Sequence, residues 1–159
     1  MSENSFFINC QAQLDRLRSE LDANCAMIST IVDGKHTVHH ISEKNPPPEG
    51  ISQIAFEHSI CGHVQKMNFP LLVDDAQSHP LLKNNPLIPL FSIGSYAGYP
   101  IPHPTTTDEP IGIICVIHDR LHNWSSDEQD RIESVAISLG GEMKRENILT
   151  WFDPFSDQG

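Results

Sequence analysis

Positive charge is scarce in this sequence: ten lysines and arginines stand against twenty-one aspartates and glutamates, a formal charge of −11 at pH 7. Such a surface repels phosphate backbones and anionic lipid headgroups, which argues against nucleic acid and membrane surfaces as partners. Long hydrophobic runs are missing too. The apolar stretches are strand-length, far short of the roughly 20 residues a membrane-spanning helix needs. The opening MSENSFFINCQ has no basic segment followed by a continuous apolar one, so no secretory leader is expected and the location read from the sequence is cytoplasmic. The four cysteines, Cys10, Cys25, Cys61 and Cys115, form no C-x-x-C pair and are expected to be reduced. No phosphate-binding loop, G-x-S-x-G elbow, paired catalytic carboxylates or internal repeat is present, so no enzyme activity is expected and no cofactor can be named. At 159 residues the chain has the size of one domain.

What is present is a change of periodicity along the chain. Phe7, Cys10, Leu14, Leu17 and Leu21 recur at helical spacing and predict a helix over about residues 5–23 with one apolar stripe. Two heptads of that stripe fit a coiled-coil seam, so it either docks on its own domain or pairs with a second copy. Two runs rich in Ile, Val and Thr follow, Ala26 to Val32 and His36 to Ser42, separated by Asp33-Gly34 and read as a hairpin. Three consecutive prolines from Pro46 mark a loop, and a second helix is expected from Ile51 or Ser52 to Met67, with Ile54, Ala55, His58 and Cys61 on one side.

Phe69 to Val73 reads as a short strand, and the proline- and asparagine-rich segment to Pro89 as irregular. Phe91 to Pro102 and Pro110 to Asp119 are the strongest strands. The second is apolar on both alternating faces, which predicts a central position. Ser125-Ser-Asp-Glu128 is a capping box opening a helix whose face is Ile132, Val135, Leu139 and Met143. The tail from Trp151 has no periodicity, and its aromatics either pack back on the body or belong to a partner contact. The division that follows is a helix over 1–24 that packs on the domain or dimerises, a domain over 25–148 and a tail over 149–159.

Five segments in order resemble the GAF family of small-molecule and signalling domains. They are His58-Ser-Ile-Cys61-Gly-His63, Phe69-Pro-Leu-Leu-Val-Asp74-Asp75, Ile93-Gly-Ser-Tyr96-Ala-Gly-Tyr-Pro100, Ile111-Gly112-Ile-Ile-Cys115-Val-Ile-His118 and Trp124-Ser-Ser-Asp-Glu128. The resemblance implies an α+β fold: a central antiparallel sheet of five or six strands, the first and last helices together on one face, and a ligand-type cavity on the other. Gly94 and Gly112 fit this as places where a side chain would block close backbone approach.

The candidate cavity residues are Cys61, Asp74, Asp75, Phe91, Tyr96 and His118. Each also has a structural reading. Cys61 is a small residue suited to packing a helix on a sheet, although His58 and His63 beside it could lower its thiol pKa. Asp74 and Asp75 could orient a polar ligand or cap a turn. The aromatics could wall a pocket or fill the core, and His118 could face a cavity or sit satisfied in the core.

The nine histidines suggest no metal site. Strand alternation puts His36 and His40 on one face and His39 on the other, and the H-x-x-x-H spacing of His118 and His122 brings imidazoles together only on a helix. GAF-like free methionine sulfoxide reductases resemble the chain at Cys61-Gly62 but need a further reactive cysteine in the following loop, where residues 79–85 hold none. The expected function is regulatory: an unidentified small molecule or partner bound near the Asp74 to Pro89 loop, a homodimer through the terminal helices, and output through another signalling protein. The alternatives are a docking module with a filled core and a thiol redox protein using Cys61.

Overall fold

The computed structural model describes residues 3–32, 35–44, 53–54, 60–86, 88, 93–149 and 151. In chain order the elements are α1 (Glu3–Glu20), β1 (Cys25–Val32), β2 (Lys35–Glu43), β3 (Gln53–Ile54), α2 (Cys61–Met67), β4 (Leu71–Val73), β5 (Ser95–Ile101), β6 (Gly112–His118) and α3 (Ser126–Arg145). The six strands make one antiparallel sheet in the order β3-β2-β1-β6-β5-β4.

β6 lies between β1 and β5, and six of its seven residues are buried, as its two-sided apolar pattern requires. Ile114 and Val116 point to one face, Ile113 and Cys115 to the other, and each pair belongs to a separate core cluster. The first cluster holds the terminal helices. Phe6, Cys10, Leu14, Leu17 and Leu21 of the N-terminal segment meet Ile132, Ala136, Leu139 and Met143 of α3 over Ala26, Ile28, Ala97 and Ile101. The N-terminal stripe therefore docks on its own domain. Phe6 leads it in place of Phe7, which is only partly buried at the edge. Polar contacts rim this layer: Asn9 Nδ2 donates to Glu142 (3.2 Å) and Arg131 pairs with Glu20 (3.3 Å).

Ser125 caps α3 as its sequence demands, its hydroxyl accepting from the Glu128 amide (3.1 Å) while the Ser125 amide donates to Glu128 Oε1 (2.9 Å). Trp151 packs back on the body. Its indole donates to the Ile111 carbonyl (2.9 Å) and lies over Gly112, where an added Cβ would come within 2.9 Å of Trp151 Nε1.

Two sequence expectations are corrected. The helix expected from Ile51 or Ser52 to Met67 begins only at Cys61, because Gln53–Ile54 pair with Thr37 and His36 as the edge strand β3; Ala55 and His58 lie outside the described residues. The expected sharing of one strand face by His36 and His40 fails as well. The register shifts between Ile28 and Ser29, so that Ile28 faces His40 and Ser29 faces Val38, and His39 becomes the extra residue of a bulge. His40 is thereby turned toward α1, stacking on Phe7 at 6.2 Å, and His39 stacks on Trp151 at 6.0 Å. His36 remains on the opposite face.

Two predictions follow from this layer. Replacing Ser125 with alanine is expected to lower the unfolding free energy by about 1 kcal/mol, read from the urea midpoint at constant slope. The second concerns His40, whose pKa is pushed from 6.5 to about 4 by burial, with the neighbouring His39 adding to the shift. Above 6.5 the stability from the neutral ring is complete. As pH falls from 6.5 toward 4 the unfolded chain takes up a proton that the native chain refuses, so stability declines. His40→Gln is expected to flatten stability against pH in that window, and an unchanged slope in urea titrations would show that His40 contributes nothing to it.

Candidate functional site

The face of the sheet away from α1 and α3 is covered by less regular structure. α2 has seven residues and is capped by Asn68, whose left-handed backbone (φ 51°) turns the chain toward β4. Beyond β4, Ala76, Leu82, Ile88 and Ile93 pack with Ile60, Cys61 and Val64 over the sheet. The segment is tied to the sheet by Ala76 N to Gly94 O and Gly94 N to His118 O, both 2.8 Å.

Beneath this cover lies a set of buried polar groups from four elements. The Cys61 thiol, in the first turn of α2, is 3.1 Å from the Tyr96 hydroxyl of β5. Cys115 of β6 hydrogen-bonds to Cys61, and His36 of β2 lies against it. Hydrogen bonding from Cys115 favours the Cys61 thiolate, burial opposes it, and His36 and Tyr96 add to the lowering, so its pKa falls well below the ordinary 9.0. The same contact with Cys61, together with burial, keeps Cys115 protonated. Burial and the adjacent thiols do the same for Tyr96.

Tyr96 reaches Cys61 because Gly98, two residues on and on the same face of β5, has no side chain. Its ring lies along the strand in the space a Cβ at Gly98 would occupy. The other two cysteines are different. Burial pushes the Cys10 and Cys25 thiols up to about 12, with Glu142 and Glu43 respectively adding to it.

The structure separates the remaining candidates. Asp74 is exposed, its carbonyl accepting from His122 N (3.1 Å) and its Oδ1 facing Trp124 N (3.5 Å), so it caps the segment before α3. Asp75 is half-buried next to it, and Phe91 lies outside the described residues. His118 is fully buried on the opposite side of the sheet from Cys61 and Tyr96, its ring 4.3 Å from that of His122 and 5.3 Å from that of Trp124. Burial first, then the charges of His122 and Arg120, lower its pKa to about 4. The expectation that His118 and His122 stay apart off a helix is thus corrected. The chain leaves β6 after His118 and folds back, and His122 Nε2 comes within 2.9 Å of both Glu128 carboxylate oxygens. The signal was present in two parts, the H-x-x-x-H spacing and the capping-box glutamate, but only the fold-back joins them.

A groove of about 650 Å³ opens at the end of the β1–β2 hairpin, lined among others by Thr30, Lys35, His39, His103, Glu109 and Trp151. Sequence reasoning had no marker for it, since its walls come from separated segments.

The Tyr96 arrangement is tested by Gly98→Ala. The added methyl is expected to displace the tyrosine ring, lower stability by about 1–3 kcal/mol and change the tyrosine near-UV circular dichroism. A variant with unaltered spectrum and stability would mean that the ring does not lie over Gly98.

Comparison with known proteins supplies the frame for this arrangement. The GAF domain profile matches residues 9–143. No curated protein matches the sequence significantly. Among solved structures, the GAF domain region of a putative membrane protein from Geobacter sulfurreducens superposes with TM-score 0.70 at 22% identity, covering 89% of this chain and 94% of that one. The GAF domain of a phosphoenolpyruvate-protein phosphotransferase from Coxiella burnetii superposes at 0.69 with 20% identity, covering 89% and 84%. A free methionine-R-sulfoxide reductase from Neisseria meningitidis, solved in complex with its substrate, superposes at 0.68 with 14% identity, covering 90% and 81%. These likenesses show the fold, which regulatory domains and some enzymes share. The profile match over most of the chain, on a six-stranded antiparallel sheet with its terminal helices on one face, shows that this chain belongs to the GAF domain family of sensory and regulatory signalling domains.

Proposed function

We propose that this domain is a non-catalytic sensor, in which a small molecule or a protein partner engages the α2 face and the change is relayed through α1 and α3. One observation carries the reading: His36, Cys61, Tyr96 and Cys115 gather four hydrogen-bonding groups in a largely apolar layer, under a cover of one short helix and irregular chain. Buried polar groups in such a layer can be re-paired by an entering polar ligand. The cover is one seven-residue helix with turns in place of a continuous ladder, so it opens at lower cost than the sheet. The Neisseria reductase was solved with its substrate, so this fold accommodates a small molecule in at least that relative.

β6 supplies a route for the relay. It carries Cys115 on the α2 face, and Ile114 and Val116 against the terminal helices, so movement of one layer is felt in the other. Output then passes to another signalling protein, with a homodimer formed through the outer surfaces of the helices, where Ile8 and Ile137 are exposed. Catalysis is disfavoured by the protonated state of Cys10 and Cys25 and by the burial of Cys61 and Cys115.

A second reading, a docking module that binds no small molecule, is favoured by the continuous apolar packing around Val64, Leu82, Ile88 and Ile113 on the same face. Native mass spectrometry of the protein purified from its host separates the two. A sensor is expected to retain a mass above the 17.8 kDa chain that disappears on denaturation and is reduced in Tyr96→Phe. A bare dimer supports the docking module, and a bare monomer that no metabolite mixture stabilises would remove both.

A further inference from the structure

We propose that His118, His122 and Glu128 form a binding site for a divalent transition-metal ion of the zinc class, on the opposite side of the sheet from Cys61 and independent of any ligand bound there. One ligand atom from each residue lies within 4.8 Å of the others, and among the described residues no other group of three such side chains converges this closely. The donor set, two imidazoles and a carboxylate, suits zinc, which takes nitrogen and oxygen at about 2.0–2.2 Å in a tetrahedral arrangement. Ligand atoms around such an ion stand roughly 3.3–3.5 Å apart, so the widest separation here closes by an ångström or so. Adjustment of the two partly exposed side chains, His122 and Glu128, would supply that movement.

Two observations point to a ligand beyond the clustering itself. His118 is completely buried, and neither of its ring nitrogens has a hydrogen-bond partner among the described residues. Leaving such donors and acceptors unpaired is costly, and coordination would satisfy one of them. The neighbouring ligands are also held from behind, as metal ligands generally are. Glu128 Oε1 accepts from Ser125 N at 2.9 Å, and the His122 backbone is fixed by its bond to Asp74 O at 3.1 Å.

Access is available from one side. The side chains of His122 and Glu128 are 23% and 18% exposed, while His118 forms the floor. Three protein ligands leave a fourth position facing this opening, so the ion would hold a water or take a small anion from solution, in contrast to a closed four-ligand structural site. Bound there, the ion would join the end of β6 to the first turn of α3.

The test uses the full chain, stripped with a chelator and titrated with Zn²⁺ by calorimetry, with Co²⁺ as the spectroscopic probe. Expected are one ion per chain, the visible absorption of tetrahedral Co²⁺, and a rise in melting temperature on metal addition. Glu128→Gln keeps a side chain able to complete the capping box, and His122→Asn alters a half-buried position. Each is expected to fold by circular dichroism yet bind Zn²⁺ at least roughly tenfold more weakly, by analogy with the loss on removing even a supporting residue. Binding unchanged in both variants would assign the ion to other histidines or to the thiols and overturn the proposal. No binding to the parent chain at millimolar Zn²⁺ would overturn it too, leaving His122 and Glu128 as an ordinary ion pair.

Discussion

The molecule is organised around the requirement that β6 be covered on both faces. A strand with Ile114 and Val116 on one side and Ile113 and Cys115 on the other cannot lie at a sheet edge or face water on either side. It must have neighbours in the plane, supplied by β1 and β5, and a layer above and below. The upper layer is two helices of 18 and 20 residues, the lower a seven-residue helix with turns. This asymmetry gives the family fold its division of labour. The long helices bury a continuous apolar seam and resist deformation, whereas the shorter cover has fewer regular hydrogen bonds to lose when it opens.

Features that depend on one segment's own periodicity or chemistry were legible in the sequence. The stripe of Cys10, Leu14, Leu17 and Leu21, the alternation of β6, the hairpin flanking Asp33-Gly34 and the Ser125 capping box all follow from spacing and local hydrogen bonding. Features that depend on register or on long-range closure were not. A bulge after Ile28 adds a residue to one strand without any special residue type there, yet it decides which way His39 and His40 point. β3 is two residues whose strand character exists only because β2 offers an open edge. Phe6 displaced Phe7 from the seam through the rotation of a helix end, which spacing alone fixes only to within one residue.

The candidate site divided along the same line. Cys61 and Tyr96 were nominated separately and are brought together by the absence of a side chain at Gly98, a relation visible only once β5 is known to be a strand with both residues on one face. Asp74 was nominated for its charge, but its neighbours are the backbone amides ahead of α3. His118 was nominated for its place on the central strand, and that place turns it to the helical layer. Parity along a strand is thus as informative as residue type: one position's difference exchanges one chemical neighbourhood for the other.

The two tryptophans sit at opposite ends of α3. Trp124 is buried beside His118 and His122, with its indole donating to Val73 O (3.0 Å), while Trp151 is buried against Phe6, Phe7 and Ile111. Each indole is in contact with a different part of the proposed relay, one where the cover segment joins the sheet and the other where the N-terminal helix docks. The domain therefore carries its own pair of fluorophores: with either one replaced by phenylalanine, the emission of the other reports events at a single end of the helix, and a signal crossing the molecule can be timed without attaching a label.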